Sequence, residues 1–223
     1  MTTLSRVGDI VRQHDPDRFF TTLFAPAAAR ETLWALYAFN HELARARETV
    51  REPMMAMIRL QWWREVVEGA RRRHEVAEPL GAALDAGALR PADLLEIIEG
   101  REAEPDGTWI ETVAATAGAL ATAAGHALGT TGSEAIAAAG SAYGAAGVLR
   151  NRAVAGEPPL PELATAGRNW LQQARAGRIP RAALAAALPA AFAARDLRRT
   201  TPVIQRGLGD KLAVVSAAAR GRL

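Results

Sequence analysis

Apolar positions between residues 26 and 50 recur at three- and four-residue steps. Leu33, Leu36, Tyr37, Asn40, Leu43, Ala44, Arg47 and Val50 therefore share one helix face, apolar at both ends and polar at Asn40 and Arg47. Pro26 suits the first turn, where its missing N–H is no loss, and Ala, Leu, Arg and Glu fill the remainder with good helix formers. Pro53 breaks this pattern, and a second helix follows through Ile58, Leu60, Trp62, Trp63 and Val66. Upstream, a short helix ends at His14-Asp15-Pro16-Asp17. Asp15-Pro16 initiates a turn, and Asp17 is the expected cap of a helix through Phe19, Phe20, Leu23 and Phe24.

The same patterning continues downstream. Short helices are predicted over residues 79–88 and from Pro91 onward, the second burying Leu94, Leu95, Ile97 and Ile98. Residues 100–107 are polar and turn-rich, and are expected as a surface loop that carries Glu102, Glu104 and Asp106. A long helix over 109–128 holds Ala115, Gly118, Ala121, Ala124 and Gly125, small residues that permit close approach of neighbours. Gly129 and Gly132 end it, and His126 among its apolar positions reads as a satisfied core histidine. Further helices span 135–151, 162–178 and 181–188, the last interrupted by Pro189. Clusters of β-branched residues are few. An all-α protein follows.

Composition narrows the chemistry. With 223 residues the chain can bury a sizeable core, and it reads as one helical domain over 1–223. There is no Cys, hence no disulfide, thiol nucleophile or Cys-ligated metal. The net charge of +3 is carried by Arg, because Lys211 is the only lysine; the arginines suit phosphate contacts or reflect coding composition. The basic run Arg71-Arg72-Arg73-His74 is explained by a helix C-terminus, and no stacking aromatics or recognition motif accompany it, so nucleic acid is not an expected partner. Neither 113–128 nor 182–194 reads as a membrane span, and the N-terminus lacks the pattern of a cleavable signal. The expectation is a cytoplasmic protein, with at most peripheral contact to the inner membrane.

The order RFF…LFAP…R…LWALYAFNHELARARE…EP…IRLQWWR over residues 18–64 resembles the squalene/phytoene synthase family. The resemblance implies an isoprenoid synthase-type helical bundle around a central cavity. It also implies a site in which acids on two helices hold Mg²⁺ to ionise a prenyl diphosphate, hard metal chemistry that needs oxygen ligands. Family enzymes are expected to carry YAFCR and then DDxxD on the first helix. Laid on Tyr37-Ala38-Phe39, those acids fall on Ala44, Arg45 and Glu48. The second motif, anchored on Leu149-Arg150, puts the expected Asn on Gly147 and the expected acids on Asn151 and Ala155. Without the resemblance, His41, Glu42, Arg45 and Glu48 read as a solvated, ion-paired face.

Ala38-Phe39-Asn40-His41-Glu42-Leu43, Glu52-Pro53 and Arg59-Leu60-Gln61-Trp62-Trp63 resemble one branch of the family, the complex I assembly factor-like proteins. That implies a non-catalytic assembly factor with no cofactor, whose partner is a client protein or respiratory-complex subunit. The alternatives are a head-to-head prenyl transferase that uses Mg²⁺, or a carrier of a prenyl or quinone-like lipid. Candidate cavity or anion contacts are Tyr37, Asn40, His41, Ala44, Arg45, Glu48, Gly147, Arg150 and Asn151, with no metal ligand among them. The two motif helices are expected to face each other across a cleft whose sign Arg45, Arg47 and Arg150 have made positive, unless Glu42, Glu48 and Glu157 neutralise them.

Overall fold

The computed structural model describes residues 4–48, 53–104, 107–132, 134–199 and 205–223, with the backbone alone at Arg47, Glu48 and Pro53. Helices α1 (Arg6–His14) and α2 (Pro16–Thr22) meet at Asp15. Its carboxylate accepts the Arg18 N–H at 3.0 Å, so Asp15 is the cap. The cap expected at Asp17 lies two residues earlier. Pro16 opens the helix and so makes the preceding residue the cap, which leaves Asp17 in the first turn.

A short 3₁₀ turn after Pro26 leads into α3 (Arg30–Glu48). Leu33, Leu36, Tyr37 and Leu43 are buried as the periodicity requires. Ala35, Ala38 and Phe39 are buried as well, so α3 is covered on more than one side. Helix α4 (Pro53–Val67) packs on α3 through Leu60, Trp63 and Val66, with Phe39 edge-on to Trp63 at 5.4 Å. The basic run lies beyond this helix and is not explained by its dipole. Arg71 forks onto Asp85, Arg72 pairs with Glu65, and His74 packs against Trp62 and Trp63.

Helices α5 (Ala77–Asp85) and α6 (Pro91–Ala103) follow. The loop expected from residue 100 does not begin there, because α6 continues through Gly100 to Ala103. A Cβ on Gly100 would lie 2.4 Å from the Ala115 carbonyl oxygen, so the glycine marks a close helix crossing. The segment 109–127 combines α7 (Trp109–Val113), a π turn over Ala114–Gly118 and α8 (Ala119–Ala127). A capping box between Thr108 and Glu111 starts it. His126 lies in the core as expected, its Nδ1 2.8 Å from the buried Asp93 carboxylate.

Helix α9 (Glu134–Val154) packs on α8, on the π turn and along α10 (Pro161–Ala176). Its glycines let the backbones meet. A Cβ on Gly140 would lie 2.4 Å from Ala117, and one on Gly144 would lie 2.5 Å from it. Helices α11 (Leu184–Ala187) and α12 (Pro189–Asp196) are separated at Pro189, which opens the second of them. Helix α13 (Leu208–Arg220) buries Val214 and Ala217 against Leu184, Leu188 and Phe192. Among the described residues there is no strand, and no helix is long and apolar enough to cross a membrane.

Candidate functional site

Helix α2 is short, and its burial is polar as well as apolar. Asp17, Thr21 and Thr22 are all buried, and both threonine hydroxyls donate to the Arg18 carbonyl. This orientation drives the Arg18 side chain inward between α3 and α9. Its guanidinium lies 5.6 Å from the centre of the Tyr37 ring and 4.8 Å from that of Tyr143. Asp15 pairs with it at 2.6 Å, and only 12% of the side chain is exposed. One residue thus caps α2 and neutralises its buried cation. Stacking on two aromatic faces adds cation–π attraction.

Burial pushes the Tyr37 hydroxyl up to about 12, against the pull of Arg18. Tyr143 is raised by burial and then by Asp15 and Asp17. Burial alone would lower Arg18, but Asp15 and the two tyrosines outweigh it, so the guanidinium is held charged.

From Tyr143 a chain of ion pairs runs toward the C-terminal helices. The Tyr143 hydroxyl donates to Asp17 at 3.2 Å, and Arg206 bridges Asp17 at 2.8 Å to Asp196 at 2.6 Å. Asp196 also holds Arg199 at 2.9 Å and Arg150 at 3.3 Å. Asp210 collects Arg199 and Arg195, each at 2.6 Å, and the Gly207 N–H. These bonds outweigh the cost of burial and keep the Asp210 carboxyl below its usual value. Beside the network lies a cavity of about 700 Å³, walled by Phe20, Leu23, Tyr143, Arg150, Phe192 and Arg206.

The sequence-derived candidates divide between separate places. Tyr37 is buried on Arg18. Asn40 accepts from Arg101 at 3.4 Å. His41 stacks on His14 at 4.2 Å, and burial, then His14, lowers its pKa. His14 in turn lines the 700 Å³ cavity that Arg150 also lines. Ala44 is half-buried, Gly147 faces open space and Asn151 is exposed. The Glu48 side chain lies outside the described residues, as does that of Arg47.

Arg45 is exposed and pairs with Glu42 at 3.3 Å. It lines a depression of about 300 Å³ with Arg59, Trp62, Trp63 and His74. Arg45 and Arg150 therefore do not share a cleft. Tyr37 of α3 and Tyr143 of α9 do face each other, with the Arg18 side chain from α2 filling the space between them.

Sequence reasoning missed Arg18, Tyr143, Asp196, Arg206 and Asp210. The available signal was the pairing of Asp17-Arg18 directly before Phe19 and Phe20, but Arg206 is 189 positions from Asp17 and no spacing rule joins them. Among the described residues, no three acids or histidines converge as a metal ion would require.

The family model for squalene/phytoene synthase matches residues 11–157. The chain belongs to the squalene/phytoene synthase family. The match runs from α1 to the loop after α9, so it includes both motif helices and Arg18. A crystal structure of a dehydrosqualene synthase in complex with ligand shares the fold. Its TM-score is 0.69 at 12% identity, covering 96% of this chain and 94% of the other, and it places the chain among all-α isoprenoid synthase-type folds. Human NADH dehydrogenase (ubiquinone) complex I, assembly factor 6 is 31% identical over 102 residues, and the rat protein of the same name 33%. Each alignment covers 44% of this chain and 31% of the relative, so the chain matches about a third of those proteins' length.

Proposed function

We propose that this member of the squalene/phytoene synthase family works without isoprenoid chemistry, as an assembly factor for a respiratory NADH dehydrogenase of the complex I type. The observation that carries the reading is Arg18, a cation fixed on Tyr37 and Tyr143 between the two helices that the family resemblance assigns to metal binding. Mg²⁺ demands several hard oxygen ligands. The residues present do not suit it. Ala44, Arg45, Asn151 and Ala155 stand where acids are implied, Glu48 alone keeps an implied acid, and Asp15, Asp17 and Asp196 are already held by arginines. The proposal therefore includes no metal cofactor and no ionisation step. The similarity to complex I assembly factor 6 supplies the direction of the reading, with a respiratory subunit as the proposed partner.

The test is genetic and biochemical. Cells lacking the protein should contain less assembled NADH dehydrogenase on native gels, and re-expression of the chain should restore it. Unchanged amounts in its absence would contradict the assignment. A second reading, a lipid carrier, is favoured by the aromatic wall of the 700 Å³ cavity at Phe20, Tyr143 and Phe192. It predicts saturable binding of a short-chain quinone that Phe192→Ala weakens.

A further inference from the structure

A second cavity, of about 610 Å³, opens where the end of α9, the following loop, the start of α10 and the end of α12 meet. Helix α3 contributes nothing to it. Four guanidiniums line it, from Arg150, Arg152, Arg168 and Arg199, against the two carboxylates of Glu157 and Asp196, which leaves an excess of two positive charges. Leu149, Leu160 and Leu197 supply an apolar wall.

The donors there are not all used. Arg152 pairs with Glu157 and donates to the Pro158 carbonyl at 3.2 Å, while its Nε is buried without a hydrogen-bond partner among the described residues. That Nε is closed off and its guanidinium lies 5.9 Å from the centre of the Trp109 ring, so the donors open to a ligand are chiefly those of Arg168. Arg168 bonds only the Thr165 hydroxyl, at 3.0 Å, and forms no ion pair among the described residues. Arg168 and Arg199 also lie beyond residues 11–157, outside the span matched by the family model.

We infer that this cavity binds a phosphate-bearing ligand, with the arginines on the phosphate and the leucines on a compact apolar group. Planar guanidiniums suit phosphate oxygens, and the excess charge favours a dianion. The ligand source is either a soluble phosphomonoester or a lipid headgroup. The inference does not depend on the assembly role, and either can fail alone.

Isothermal titration of phenyl phosphate into the full chain, in EDTA, provides the test. One molecule should bind per chain, at least tenfold more weakly to Arg168→Gln, and with unchanged strength to Arg45→Ala. Arg168 is exposed, so the variant's melting temperature should match that of the parent and confirm folding. Pelleting with vesicles of phosphatidylcholine and phosphatidic acid separates the sources. Pelleting that phenyl phosphate competes away identifies a lipid headgroup, and its absence alongside soluble binding identifies a phosphomonoester. No saturable binding of phenyl phosphate, or equal affinity in Arg168→Gln, overturns the inference.

Discussion

Arg18 is the residue on which the centre of the molecule depends. Removing its side chain would leave Asp15 without its partner and open a gap between Tyr37 and Tyr143. Breaking a buried pair from one side costs about 3–5 kcal/mol, and the residual exposure of both groups puts Arg18→Ala at the lower end. Arg18→Met keeps most of the volume and should cost less. Urea unfolding of the two variants checks both values.

Tyr37 and Tyr143 are the chain's two tyrosines, and both face Arg18, which permits a cleaner measurement. Alkaline absorbance titration of the folded protein should show no tyrosinate at the ordinary value of 10.0, with Tyr37 ionising only near 12. The folded state keeps protons that the unfolded chain releases. Stability from this source is thus complete below pH 10 and lost as pH rises toward 12. Asp210 acts at the other end of the scale. Its depressed carboxyl contributes stability above the ordinary 3.8 that disappears as pH falls through the lower folded value, so Asp210→Asn should flatten the acid side of the stability profile.

At the scale of elements, the helices meet through glycines that do unlike things. Gly140 lies against Ala117 and Ala121, each 2.4 Å from where a Cβ would stand. Gly147, on the same helix, has open space. Gly140→Ala should therefore destabilise by about 1–3 kcal/mol, as overpacking does. Gly147→Ala should stabilise by up to about 1 kcal/mol, the helix-propensity gain alone. Thermal melts of the pair compare a packing effect with a propensity effect on one helix.

The periodicity of apolar positions was enough to read most helices, because α3, α4 and α9 bury residues at helical spacing. It failed at Gly100, where a turn-forming residue serves a helix crossing inside α6, and at Asp15, where Pro16 shifts the cap by two positions. The network from Asp17 to Asp210 was not readable at all. Its members come from α2, α9, α12, α13 and Arg206, and their order along the chain carries no trace of their contact.

For the whole molecule, the fold is that of the squalene/phytoene synthase family. The bundle is joined at its centre by Arg18, which lies between Tyr37 of α3 and Tyr143 of α9, and beside it by arginine–aspartate pairs. Under the proposed function, such a centre does not ionise prenyl diphosphates. Incubation of the purified chain with farnesyl or geranylgeranyl diphosphate and Mg²⁺, with pyrophosphate release followed continuously, tests this most directly. The substrate should persist, with no pyrophosphate above the protein-free control. Sustained release, accompanied by a squalene- or phytoene-like hydrocarbon, would contradict it.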